Sequence, residues 1–308
     1  MAENIVQSGQ SKSRENPKFG RKVFFLDPPL SLTRTVIEML RAEEYEIYII
    51  PSYELTKSVL RENKDAMLFI NIDSKLTFRQ WFNFIFSFQD DPVLRTILVG
   101  VVSERATSSD QTLFLENLQL ACGFQILNAA NSIIFGKLMR IFELNGAKGN
   151  RKYIRLDCKN MKVVSAYFIK NNKLYELSIN DISSVGFAAT FTPDAAGFFK
   201  EAAVFNDISF TFGRKTIVCP SVVLRVVDNL AVFLFTNAMP LAYKNAIRSY
   251  VQMVLSRIFE VKLKNAIKDF DEYEDEVDLG SVIAANNSRK VEFDGDSDFG
   301  NLEDVEEV

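Results

Sequence analysis

Arg151-Lys152-Tyr153-Ile154-Arg155 and, 26 residues beyond Arg155, Asp181-Ile182-Ser183-Ser184-Val185-Gly186 decide how the second half of this chain reads. The Arg-x-x-x-Arg pair offers two planar forks suited to phosphate oxygens and a guanine edge. The Asp-x-Ser-x-x-Gly turn offers an acceptor, a hydroxyl and a close backbone approach. Around them, strand-sized apolar runs follow one another at 163–168, 174–179, 187–191, 208–212, 216–218, 222–227 and 231–235. Turn residues Asn171-Asn172, Gly213-Arg214 and Asp228-Asn229 punctuate them. Seven short strands with little helix predict a small antiparallel β-barrel.

One helix is expected to close this barrel. Pro240 stands near its start, and Ile247, Tyr250, Val251, Val254, Leu255 and Ile258 form a single apolar stripe at helical spacing. The stripe should lie on the barrel as a flank, with Lys244, Arg248 and Arg257 in solvent.

Upstream of the arginines the texture differs. Between Lys22 and Ala147, strand-sized runs at 23–26, 46–50, 67–70, 97–102 and 125–127 alternate with stretches of helical periodicity. That order predicts an α/β unit with a doubly wound parallel sheet. Its topology is similar to a response-regulator receiver, but the reactive residues depart from that pattern. Asp27 ends the first run, and Pro28 and Pro29 follow where a receiver has a second acid. The third run ends Asn71-Ile72-Asp73, with no unambiguous phosphoacceptor. Ser103 supplies a hydroxyl after the fourth run, and Asn128-Ala129-Ala130 replaces the lysine expected after the fifth. Phosphoryl transfer needs carboxylates to hold a metal and a cation to stabilise the moving group, so this unit is not expected to be phosphorylated. The aromatic stripe Phe78, Trp81, Phe82, Phe84, Ile85, Phe86 and Phe88 reads first as a buried helix and second as a docking surface.

Composition narrows the function. The 308 residues are 47% hydrophobic and 12% aromatic, enough for two packed cores. Histidine is absent, which excludes Ser-His and Cys-His relays and histidine-ligated metals. Cys122, Cys158 and Cys219 are odd in number and set among apolar neighbours, fitting buried thiols in a reducing compartment. No paired carboxylates stand out before the tail, so an enzyme is not expected. The net charge of −4 divides into +9 over the first 268 residues and −13 over the rest. A mildly basic body without a dense Lys/Arg block suits a small anion better than duplex nucleic acid. No apolar run is long enough to insert in a membrane, which points to a cytoplasmic protein. The expected organisation is a disordered start (1–20), a receiver-like α/β domain (21–147), a barrel with its helix (148–266) and a disordered acidic tail (267–308). Asn145 to Asn150, small and glycine-bearing, is the expected linker. In the tail, Asp294, Asp296 and Asp298 imitate the start of a calcium loop without its glycine or its frame.

Either motif alone is weak evidence. Together, in this order and spacing, they resemble the PilZ family, whose members bind the bacterial messenger cyclic di-GMP. The resemblance spans about residues 149–263. It implies a PilZ-like barrel and makes Arg151 and Arg155 the ligand's primary grips. By the same resemblance Asp181 accepts guanine N–H groups, Ser183 fills the hydroxyl position, and Gly186 stands where a side chain would crowd turn or ligand. Asn150 and Lys152 flank the arginines as further candidates. It also implies no cofactor and no metal, with the messenger as ligand and a protein partner downstream; motility, adhesion, envelope synthesis and virulence are all compatible with the family. The competing expectation is an adaptor with the same fold that binds no nucleotide. The linker's glycines and cations suggest a segment that ligand would order, resetting the angle between the halves.

Overall fold

The structure, a computed structural model, describes residues 20–161 and 163–268. The expectations of disorder at residues 1–20 and in the acidic tail at 267–308 therefore fall, but for Gly20, Ile267 and Lys268, outside the described residues, as does the calcium-like Asp294–Asp298 stretch.

Five strands build the first sheet: β1 (Val23–Leu26), β2 (Ile47–Ile50), β3 (Met67–Asn71), β4 (Leu98–Ser103) and β5 (Phe124–Ile126), all parallel in the order β2-β1-β3-β4-β5. β1, β3 and β4 are buried along their whole length, as central parallel strands covered on both faces must be. On one face, a helical turn at Leu32–Ile37 running into α1 (Glu38–Ala42) packs with α5 (Asn131–Leu144) over Val23, Phe25 and Phe69. On the other lie α2 (Thr56–Arg61), α3 (Phe78–Phe86) and α4 (Ser108–Asn117). This is the expected doubly wound unit. A reciprocal Thr77–Gln80 capping box starts α3. Trp81, Phe82, Phe84, Ile85 and Phe88 are buried, and the half-buried Phe78 and Phe86 pack against the same core, so the aromatic stripe is core, not a docking surface.

The second unit is a closed antiparallel barrel made of β7 (Val164–Lys170), β8 (Lys173–Ser183), β9 (Gly186–Phe191), β10 (Val204–Phe212), β11 (Lys215–Val227) and β12 (Leu230–Phe235). The sheet order is β8-β7-β10-β11-β12-β9, and β9 pairs again with β8 to close it. The runs expected as separate strands at 216–218 and 222–227 are one long β11 that passes through Pro220. Opposite Pro220, β10 carries two residues, Asn206 and Asp207, between the pairs Phe205↔Ser221 and Ile208↔Cys219. A bulge here lets the ladder pass a residue with no N–H to donate. The strand count of seven is completed instead by β6 (Leu156–Asp157), which the apolar runs did not show.

Helix α6 (Leu241–Asn265) does more than flank the barrel. Ile247, Val251 and Val254 enter the barrel core, while Phe259 enters the core of the first unit. There its ring lies 4.7 Å from Tyr48 and 5.6 Å from Phe24. Arg248, expected in solvent, donates to Ala42 O at 2.7 Å, and Gln252 donates to Arg41 O at 2.6 Å. Both carbonyls lie at the end of α1, where helix carbonyls lack intrahelical partners; Arg41 O also accepts from Glu44 N–H at 3.0 Å. The two units are thus joined by a shared helix. Among the described residues no helix is long and apolar enough to cross a membrane.

The stretch Asn145–Asn150 is not the loose linker its composition suggests. Arg21 N–H donates to Ala147 O at 2.9 Å and Arg21 Nε to Asn145 O at 2.8 Å, and both Gly146 and Ala147 are buried. Gly146 and Gly149 hold positive φ angles of 64° and 55°. Here glycine supports fixed turns rather than freedom.

Candidate functional site

From Ile154 onward the chain alternates. Ile154, Leu156 and Cys158 are buried, and Arg155, Asp157 and Lys159 are exposed, the period-2 pattern of a strand lying on a core. β6 pairs antiparallel with the end of β8, Leu156 against Ile182 and Asp157 against Asp181. That pairing brings the arginine segment to the carboxylate of the turn.

Asp181 reaches the surface because of a bulge. Tyr175, Leu177 and Ile179 point into the barrel, so strict alternation would send residue 181 inward as well. The register against β9 shifts between Ile179 and Asp181, leaving Asn180 as the extra residue, and Ile182 takes the inward position instead. Asn180 is held by Thr190 Oγ1, which donates to its Oδ1 at 3.0 Å, and its carbonyl accepts from Cys158 N at 2.8 Å.

Arg155 Nη1 lies 3.4 Å from Asp181 Oδ1, with side chains 47% and 32% exposed. An ion pair this long and open contributes no more than about 1 kcal/mol, so either group can exchange its partner for a ligand at small cost. Partial burial raises the Asp181 carboxyl above its ordinary value, against the opposing pull of Arg155 and then Arg151. Arg151 and Arg155 line one cleft of about 170 Å³ together with Lys148 and with Lys22, Glu44 and Glu46 of the first unit.

The remaining candidates stand elsewhere. Ser183 is buried and donates to Gly186 O at 3.1 Å across the Ser184-Val185 turn. Gly186 pairs with Leu234 of β12, and a Cβ there would run into the carbonyl of Phe233. Its lack of a side chain therefore serves strand packing. Gly186→Ala should push β9 from β12 and lower stability by about 1–3 kcal/mol, read by urea denaturation. Lys152 lines a second, wider cleft of about 650 Å³ together with Lys244 and Arg248 of α6. Asn150 is exposed on the approach to Arg151. So the structure gathers Arg151, Arg155 and Asp181, sets Ser183 and Gly186 behind them in the turn, and turns Lys152 away. The second unit that carries them is a closed six-stranded antiparallel barrel.

No family model matches the chain, and no curated protein matches it. Among solved structures, the c-di-GMP complex of K. pneumonia MrkH is similar over 37% of this chain and 54% of that one, at 20% identity and a TM-score of 0.31. The PilZ domain of Escherichia coli YcgR, solved with c-di-GMP, is similar over 38% of this chain and 98% of that one, at 17% identity and a TM-score of 0.31. Bacillus subtilis MotI/DgrA, an inhibitor of motility, shares 14% identity over 36% of this chain and 51% of that one, at a TM-score of 0.28. The chain thus spans about half the length of the first of these. At such scores the likeness decides nothing by itself; the strand order and the placement of the two motifs carry the reading.

Sequence reasoning missed Glu44. It belongs to the turn after α1 in the first unit, yet its carboxylate accepts from Ser184 Oγ at 2.7 Å and from Ile154 N at 3.3 Å. No local pattern in the sequence announces a contact across such separations.

In the first unit, the receiver-like acids are occupied by the protein's own donors. Ser74 Oγ donates to Asp27 Oδ2 at 2.7 Å, and Ser103 Oγ and Glu104 N donate to Asp73 at 2.5 and 2.6 Å. Among the described residues no group of three or more Cys, Asp or Glu side chains is placed to hold a metal ion.

Proposed function

We propose that this protein is a non-enzymatic, cytoplasmic effector that binds cyclic di-GMP at the rim of the barrel and passes the signal to a protein partner, in motility or envelope machinery. The observation that carries the reading is the β6–β8 pairing, which sets the Arg155 fork beside the Asp181 carboxylate with Arg151 in the same cleft. Arg forks can hold phosphate oxygens or the O6 and N7 edge of guanine, and a carboxylate can accept guanine N–H groups. Charge-assisted hydrogen bonds of about 1.5–3 kcal/mol each suffice for affinity near micromolar, about 8 kcal/mol. Ser183 and Gly186 fix the turn that presents Asp181, Asn150 flanks the entry, and Lys152 lines the neighbouring cleft. In this proposal the receiver-like unit takes no phosphoryl group, because Asp27 and Asp73 already accept hydrogen bonds from Ser74, Ser103 and Glu104.

Calorimetric titration of the full chain with cyclic di-GMP tests the proposal, with linear di-GMP and GTP as controls. Saturable binding of the cyclic dinucleotide alone is expected; no heat, or equal heat from GTP, refutes it. Rearrangement on binding is proposed to centre on the Arg151–Arg155 segment rather than on a free hinge. Small-angle scattering should show a modest change of envelope with saturating ligand, and identical curves would remove rearrangement from the mechanism.

A further inference from the structure

Glu44 is contributed by the first unit, yet it stands inside the candidate site of the second. Its backbone holds a φ of 65°, a conformation that residues with a Cβ rarely adopt. Held there, its two carboxylate oxygens are used separately. Oε1 accepts from the Ser184 hydroxyl at 2.7 Å and Oε2 from the Ile154 amide at 3.3 Å. Ser184 lies in the Asp181–Gly186 turn and Ile154 in the Arg151–Arg155 segment, so a single carboxylate ties the two motifs together. The same side chain lines the cleft shared by Arg151 and Arg155.

A phosphate diester drawn to those arginines arrives beside this carboxylate. The two anions repel in a cleft partly shielded from water, and both seek the same kinds of donor: guanidinium, amide and hydroxyl. We propose that Glu44 is a built-in anionic clasp that occupies the nucleotide site from the first unit, so that cyclic di-GMP must displace it and the first unit sets the affinity of the second. The clasp rests on the nucleotide reading given above. Linkage makes the effect reciprocal: whatever the clasp costs the ligand, the ligand returns by loosening the clasp and with it the tie between the α1 turn and the barrel. The signal would then leave through the first unit.

The test uses the full chain and three variants. Glu44→Gln keeps the shape and removes the charge, Glu44→Ala removes the clasp, and Ser184→Ala removes one of its donors from the other side and serves if the Glu44 variants fold poorly. Each is titrated with cyclic di-GMP by calorimetry, and amide hydrogen exchange over residues 151–156 is followed without ligand. Expected are an affinity gain of about tenfold for Glu44→Gln and Ser184→Ala, within the range of site-to-site coupling, and exchange at Ile154 at least about tenfold faster in Glu44→Ala. Unchanged affinity with wild-type binding intact would overturn the clasp while sparing the nucleotide site, and so would unchanged exchange at Ile154. Weaker binding by Glu44→Gln would show that the carboxylate serves the ligand, which also overturns it. If neither wild type nor any variant binds, the nucleotide reading fails and the clasp falls with it.

Discussion

Arg155→Ala is expected to weaken cyclic di-GMP binding by roughly 10- to 150-fold, the equivalent of losing a charged hydrogen-bond set of about 1.5–3 kcal/mol. The fold should be indifferent. Its pairing with Asp181 is long at 3.4 Å and open to water, so thermal stability should move by less than about 1 kcal/mol. The neighbours that anchor the segment, Ile154 and Leu156, remain buried. Arg151→Ala should behave alike, and the double variant should show no measurable heat. Arg155→Lys separates charge from geometry: it keeps the cation but loses the planar fork, and intermediate affinity is expected. Calorimetry on the four proteins beside a urea melt makes the check. Wild-type affinity in both single alanine variants would place the ligand elsewhere.

Phe259→Ala is expected to cost about 3–5 kcal/mol, and the manner of the loss matters as much as its size. The ring comes from a helix whose preceding turns belong to the barrel, and it fills the first unit's core between Phe24 and Tyr48. Removing it leaves a cavity in one unit and takes away the most buried part of the apolar tie to the other, leaving only the half-buried Leu255, Leu263 and Ala266 against that core. Wild type should therefore unfold in one calorimetric transition and the variant in two, the first unit melting earlier. Val251→Ala is the control, because its side chain lies in the barrel core alone; it should lower stability without splitting the transition. A single transition in Phe259→Ala with a loss under about 1 kcal/mol would mean that the ring contributes little to the joint.

Much of this architecture could be read from local patterns. Fully apolar runs such as Val23-Phe24-Phe25-Leu26 have the texture that a strand covered on both faces requires, and they fell in place as β1, β3 and β4. The motif residues Arg155 and Asp181 were found from spacing and do meet. What escaped was whatever depends on contact between distant segments. Phe259 sits one residue past the end of the barrel stripe counted to Ile258, and nothing local says that a helix changes cores between neighbouring turns. β6 is two residues long and has no run to detect. The runs at 216–218 and 222–227 read as separate strands, but the bulge opposite Pro220 in β10 carries one strand through. The break in alternation between Ile179 and Ile182 was a visible sign of the Asn180 bulge, though not of its purpose, which is to keep Asp181 out of the core. Glycine in Asn145–Asn150 suggested slack because composition does not reveal that Arg21 would reach back to pin it.

The shared helix also sets an order of events during synthesis. A ribosome releases the amino-terminal half first, with its parallel sheet complete but the Phe24–Tyr48 patch uncovered, and the residue that seals it is translated only after the whole barrel has been made. Until then the nascent half holds a sticky aromatic window toward its surroundings, the kind of exposed surface that chaperones recognise. Maturation waits for α6, so stalling or truncation before residue 259 should yield a chain that clumps rather than a smaller working protein.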